Sequence, residues 1–400
     1  MPACSTRTRA TSLSLSATLI VLASALLLPG CATLQHENTA PYITGTLRAR
    51  DDSIATVMFK THVLYPARDV LTFDWLVRLL GDDHAWNAET DLDAGTSFCT
   101  PYPPGGPTPD AAAIGPCTLP PQPPFTILKP KTKGTTAGFL GADATGRRFL
   151  FKLDNPKHPE LGTSSAIIGS RTMAALGYRV PEIYLVSIEG TGDPRFDGHR
   201  ATAAAFLDNV RGNYRFDWFR YRREARALRM ACAWLNDTDR GSQNTLVVED
   251  AGRALYYQID FNSCLGSWQG RPKKTWRGHR HAGDVGWILL RGLSFGLLHP
   301  EPNPTQPVFS PAVGRYDADY SPLAWRPQTP NTAFDHMTDA DLRWIAARIR
   351  HLDRPHIEAI VAAAKLTNPA DATYLVETLM ARRAAILSLA EPSPETGTQH

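Results

Sequence analysis

Eleven prolines fall within residues 101–130, and no other stretch limits the possible folds of this chain so strongly. Each proline removes a backbone donor and pushes the preceding residue out of helical space, so the run predicts a polyproline-like connector between two folded regions. Recognition by a partner is the alternative use of such a run. Ahead of it, residues 35–93 combine a strand-like 54–59 with a helix-like 70–80, whose Leu71, Phe73, Trp75, Leu76, Leu79 and Leu80 recur at three- and four-residue spacing. With 43% apolar and 20% charged residues in 400, the chain can bury a sizeable core, which excludes a disordered or collagen-like protein.

At the start, Arg7 and Arg9 precede an uncharged stretch over 10–28, the layout of a secretory signal. A retained membrane anchor is the alternative. The stretch ends in Leu28-Pro29-Gly30-Cys31, which resembles a bacterial lipobox. That resemblance implies a diacylated N-terminus at Cys31, and Ala32 lacks the aspartate associated with inner-membrane retention. The expected location is therefore the cell envelope, lipid-anchored in the outer membrane and facing the periplasm. Lys and Arg total 42 against 39 acids, and removal of residues 1–30 leaves 40 against 39. So small a net charge gives no general drive toward nucleic acid, which is not an expected partner.

Loss of Cys4 and lipidation of Cys31 would leave Cys99, Cys117, Cys232 and Cys264. Cys99 and Cys117 bracket the first part of the proline-rich run, where an oxidising compartment favours a disulfide between them; two unrelated thiols are the alternative. Cys232 and Cys264 sit inside apolar segments and read as core residues. No Cys/His spacing of the zinc type occurs.

Beyond Lys129 the pattern becomes strand, turn, strand: 139–140, a turn over 143–146, then 148–154. Thr163 or Ser164 can cap a helix running to Leu176 with Gly177 as its stop, and 180–188 reads as a strand. This order suits a small antiparallel sheet with one packed helix. A helix over 217–235 follows, then a polar loop over 236–244 and two strands at 245–248 and 254–260. Thr338, Asp353 with Pro355, and Asn368 with Pro369 open three helices near the end. The fold class is α+β.

The polar loop carries Asp239 and, five residues on, Asn244; Asp260 ends the second strand. In-line phosphoryl transfer needs a carboxylate to orient and deprotonate a hydroxyl, and an amide oxygen with a second carboxylate to hold magnesium. Lys152, on the second strand of the hairpin, is placed to neutralise phosphate charge. The 133–139 segment, with Gly134 and Gly138, could offer backbone amides to an anion, although alone these read as hairpin glycines.

Gly138-Phe139, the 149–154 strand, the 175–181 turn, 234–239, 244–246 and 259–261 together resemble bacterial kinase-like proteins of the HipA and phosphoinositide-kinase branch, over roughly residues 130–390. The resemblance implies a bilobal kinase-like fold. Together with the signal and the proline run, this divides the chain into a signal peptide at 1–30, an extension at 31–100, the connector at 101–130, and, as the resemblance implies, a small lobe at 131–205 and a mainly helical lobe at 206–390, with a disordered tail expected at 391–400. The resemblance implies ATP and Mg2+ as cofactors, with Lys152 on phosphates, Asp239 as catalytic carboxylate, and Asn244 and Asp260 on metal. The helix glutamate expected to pair with the lysine falls at Ala166, with Glu160 as a possible substitute, and Asn262 stands where a glycine is usual. Two functions follow: an exported phosphotransferase acting on an unknown hydroxyl acceptor, or an inactive kinase-fold lipoprotein serving as a binding or scaffold module. Residues 271–281 form a basic run whose default reading is a solvated loop, with binding of an anionic substrate as the alternative.

Overall fold

The computed structural model describes residues 95–132, 134–282 and 307–391, with a few isolated positions besides. The signal peptide, Cys31, most of the extension and residues 392–400 lie outside the described residues.

A four-residue turn decides where the first sheet doubles back. Asp143 Oδ1 accepts from the Thr145 and Arg147 amides at 2.9 and 3.0 Å and from the Thr145 hydroxyl at 2.7 Å. Gly146 supplies the left-handed φ of 84° that closes it. The turn joins β2 (Gly138–Ala142) to β3 (Arg148–Leu153) in antiparallel register, Gly138 opposite Lys152 and Phe139 opposite Phe151. Alternation then sends Phe149, Phe151 and Leu153 to one face, where they are buried with Phe125, Phe139 and Tyr184. Phe139 and Phe151 stack at 4.6 Å between ring centroids.

Three further strands complete an antiparallel sheet of order β1-β2-β3-β5-β4: β1 (Thr126–Pro130), β4 (Ile183–Ser187) and β5 (Arg200–Ala205). Two of these correct the sequence reading, in which β1 belonged to the connector and β5 was not recognised. β1 is an edge strand, which is where a proline such as Pro130 costs the ladder nothing.

The end of the extension and the rest of the supposed connector are also built into the fold. Residues 96–100 form a strap: the Thr100 amide donates to Gly177, the Arg179 amide to Phe98 and the Tyr256 amide to Ser97. Phe98 is buried against Tyr256 and Phe219. Helix α1 (Pro109–Ile114) starts with proline at its first position and Thr108 as cap, so the missing N–H is one the helix would not use. Cys99 and Cys117 are free thiols and the expected disulfide is not formed. Cys99 is buried in the larger core, whereas Cys117 packs against the core of the sheet and its thiol donates to the Ile183 carbonyl at 3.3 Å. Cys232 and Cys264 are fully buried, as expected.

Helix α2 (Leu161–Ala175) is buried on nearly every side and touches the sheet, α1 and the helical half alike. Small residues permit this: a Cβ on Gly169 would lie 2.6 Å from Cys264 Sγ. Its N-terminus is capped not from Thr163 or Ser164 but from the end of β3, where Asp154 accepts from the Thr163 and Glu160 amides at 2.8 and 3.0 Å.

The second half centres on α3 (Arg223–Trp234), preceded by a separate 3-10 turn at Phe216–Phe219, so the helix expected over 217–235 is broken in two. A three-stranded sheet, β6 (Val210–Gly212), β7 (Thr245–Asp250) and β8 (Arg253–Gln258), carries the ends of the polar loop. β9 (Ser267–Trp268) and β10 (Arg271–Pro272) form a small ribbon. Helices α4 (Thr332–Asp335), α5 (Asp339–His351), α6 (Arg354–Ala362) and α7 (Pro369–Ala390) follow, and Thr338 and Asp341 form a capping box at the start of α5. Trp234 is fully buried and its indole donates to Leu379 O at 2.9 Å, pinning α3 to α7. No helix among the described residues is long and apolar enough to cross a membrane.

Candidate active site

β3 aims Lys152 across to Asp260, two residues past the end of β8. Its Nζ lies 2.8 Å from Asp260 Oδ2, with side-chain exposures of 15% and 31%. Asp260 takes a left-handed φ of 58°, a conformation aspartate tolerates better than most residues. Burial pushes its carboxyl upward, but the charge and hydrogen bond of Lys152, the charge of Arg240 and the Asn262 amide outweigh that, and the net shift is below the ordinary carboxylate value. The second oxygen, Oδ1, is buried with no hydrogen-bond partner.

The polar loop is held by its own turn. Asn244 Nδ2 donates to the Asp239 carbonyl at 2.6 Å, and the Gly241 amide donates to the same oxygen at 2.9 Å. Beneath it lies Arg240, wholly buried. Its Nε is 2.9 Å from Asp237 Oδ2, its Nη1 donates to the carbonyls of Asn244 at 3.0 Å and Ile259 at 2.7 Å, and its guanidinium covers the Phe261 ring. One buried cation therefore fixes the loop carrying Asp239 and Asn244 relative to the strand end carrying Asp260. Burial, then the charges of Asp260 and Asp237, raise Asp239 to about 7 against the pull of Arg240 and the Asn244 amide.

A loop joining β1 to β2 roofs this pair. Lys131 Nζ donates to Thr136 O at 2.7 Å, and burial, followed by the charge of Lys152, pushes its pKa down. Asn262 Nδ2 donates to Thr136 Oγ1 at 3.2 Å, and Thr135 Oγ1 donates to Gln269 Oε1 at 2.6 Å, so the loop is tied to the opposite wall at two points. Gly134, at φ 80°, makes the bend. Gly138 serves the strands: a Cβ there would sit 2.0 Å from the Phe151 carbonyl oxygen.

Of the residues expected at the site, Lys152, Asp239 and Asp260 come together electrostatically, and Asn244 holds the Asp239 turn. Glu160 does not substitute for the missing helix glutamate. Its carboxylate accepts from the Thr367 amide and hydroxyl and faces Arg200, while Ala166 is a core residue. The partner of Lys152 is Asp260 itself.

Sequence reasoning missed Lys131, Asp237, Arg240 and Arg277. Asp237 and Arg240, three apart in a loop closing an apolar helix, carried a readable signal of a buried pair; nothing in the sequence placed Lys131 over the cleft. Arg277 belongs to the basic run, and its guanidinium covers Trp268 at 3.3 Å and Trp276 at 4.6 Å. Burial lowers it to about 10 even though the charge of Asp239 opposes the shift. The run is not a solvated loop throughout, since Lys273 is 1% exposed.

No group of three or more His, Cys, Asp or Glu side chains among the described residues could hold a metal alone. The donors still fit a magnesium ion that arrives with phosphates, because such an ion takes one or two carboxylates and completes its shell with phosphate oxygens and water. The unpartnered Asp260 Oδ1 and the Asn244 side-chain oxygen are the groups that would hold it.

No family model matches this chain, and no curated protein does. Among solved structures it is similar to one described as a Helicobacter pylori proinflammatory kinase, CtkA, at 14% identity and a TM-score of 0.38, over 66% of this chain and 92% of that one. Likeness at that level assigns no residue a role.

Proposed function

We propose that this chain is a lipid-anchored phosphotransferase of bilobal kinase-like fold in the bacterial cell envelope, using ATP and magnesium on a hydroxyl acceptor. The observation that carries the reading is the Lys152–Asp260 pair at 2.8 Å set beside an aspartate, Asp239, whose proton affinity lies near neutrality. Lys152 and Lys131 bring two cations under the roof loop, where phosphate charge needs neutralising. Asp260 and Asn244 would hold the metal, which supplies charge neutralisation at the phosphates. Asp239 orients the acceptor hydroxyl and takes its proton as the new oxygen–phosphorus bond forms and the bond to the nucleotide diphosphate breaks. A pKa of about 7 suits that exchange, because the group is both ionised in good part and able to accept a proton near neutral pH.

A second reading, a nucleotide-binding module without transfer, is favoured by one feature: the roof loop is tied down through Thr136 to Asn262 and Thr135 to Gln269. Magnesium ATP should raise the melting temperature of the protein and label it, or an added hydroxyl compound, with the γ-phosphoryl group. Stabilisation without transfer selects the binding module; no stabilisation under any metal condition rejects both.

A further inference from the structure

Buried cations in this protein are handled in two ways. Arg226 lies against Asp341 at 3.0 Å and Arg240 against Asp237 at 2.9 Å, so their charge is matched by a carboxylate. Around the cleft between segments 273–279 and 315–325, three cations meet only neutral acceptors. Lys273 Nζ donates to the carbonyls of Asn236 and Leu265. The Arg382 guanidinium donates to Trp234 O at 2.9 Å, Ala233 O at 2.6 Å and Asp317 O at 2.9 Å. Arg277 donates to the Gln328 side-chain oxygen, and its buried Nε has no acceptor. Lys273 is 1% exposed and Arg382 3%. Lys274 and Arg315 line the same cleft, against two acids, Asp317 and Asp319. Five cationic side chains against two carboxylates, three of the five satisfied only by neutral groups, leave a surplus of positive charge in a low-dielectric setting.

We propose that this cleft binds a small oxyanion, a phosphate or carboxylate group, and that, resting on the phosphotransferase reading above, it receives the acidic end of the acceptor. Arg277 gives the connection to the chemistry: it lines the cleft and donates to the side chain of Gln328, whose backbone amide donates at 2.7 Å to the carbonyl of Thr238, the residue before Asp239. An acceptor anchored there by its anionic group can present a hydroxyl toward Asp239. Its charge would reverse the cost that burial imposes on Lys273, whose pKa stands lowered to about 7. Burial of Arg277 lowers that group as well, to about 10.

Inorganic phosphate is the probe. Titration calorimetry on the full chain should show one saturable site that Lys274→Glu and Arg277→Gln each weaken at least tenfold, while Lys152→Ala leaves it unchanged. Lys274 is exposed, so its variant folds regardless of what happens at Arg277. Absence of saturable binding overturns the proposal, as does binding that Lys152→Ala removes and Arg277→Gln does not touch. The source of the anion is read in the transfer assay. Glycerol 3-phosphate should accept phosphoryl at least tenfold faster than glycerol, with the preference lost in Lys274→Glu. Equal rates would overturn the acceptor assignment and leave a site for free phosphate. Failure of the phosphotransferase reading is seen separately, as absence of magnesium-dependent nucleotide binding in a protein that still binds phosphate.

Discussion

The Lys152–Asp260 cleft and the 273–279 cleft treat buried charge in opposite ways. At the first, a lysine and an aspartate satisfy each other and a second aspartate is left with its affinity for protons raised. At the second, buried cations hydrogen-bond to carbonyl and amide oxygens and not to a carboxylate, and cationic side chains outnumber the acids that line the cleft. One region is prepared for cations that accompany phosphates, the other for an anion. The lesson is that charge placement separates two ligand roles within one structure, although each region leaves a buried polar atom unsatisfied, Asp260 Oδ1 in the first and Arg277 Nε in the second.

The largest stability effect should come from the residue that holds the acidic region together. Arg240→Met leaves Asp237 buried without its cation and frees the carbonyls of Asn244 and Ile259, which should cost about 3–5 kcal/mol in urea denaturation. A loss below about 1 kcal/mol would show that Asp237 finds water or another partner, and the comparison would lose its structural basis.

The pH dependence sharpens the contrast. Folding raises Asp239 from 3.8 to about 7, so its contribution to stability is present below pH 3.8 and lost as pH rises through 7. Folding lowers Lys273 from 10.5 to about 7, so its contribution is present above pH 10.5 and lost as pH falls through 7. These two groups together predict a dip in stability near neutral pH. Asp239→Asn should flatten the acid limb and Lys273→Met the alkaline one. Unchanged limbs in both variants would show that neither group carries the proton affinity assigned to it.

Thr136→Val should have the smallest effect. It removes the acceptor for Asn262 Nδ2 at the roof loop, at a cost of about 0.5–1.5 kcal/mol, and should speed nucleotide entry in stopped-flow binding. An unchanged entry rate would mean that the tie does not gate the site.

Much of this was legible in the sequence because short-range rules govern it. The 138–153 hairpin, the Gly177 stop, the Thr338 cap and the helix start at Asn368 follow from local turn and cap chemistry, and the start at Asp353 from Pro355 in the first turn. The 101–130 run misled because proline only forbids donors and helical neighbours; it does not forbid an edge strand, a helix first turn or packing through Phe125. β5 was missed because Arg200–Ala205 is mostly alanine, and its strand character comes from lying between β3 and β4. At the site, the order Lys152, Asp239, Asn244, Asp260 was visible. That Lys152 pairs with Asp260, and that Lys131 and Arg277 approach from distant segments, depends on tertiary placement that no spacing encodes.

Calorimetric titration of magnesium ATP into the wild type, Asp260→Ala and Asp239→Ala, each followed by a phosphoryl-transfer assay, tests the central claim most directly. Asp260→Ala should lose magnesium-dependent binding, because it removes the unpartnered Oδ1 and the partner of Lys152 together. Asp239→Ala should bind nucleotide within about threefold of wild type and lose transfer by at least about a hundredfold, the range expected when a positioned general base is removed. Equal transfer in Asp239→Ala and wild type, or magnesium-dependent binding that survives Asp260→Ala, would contradict the account.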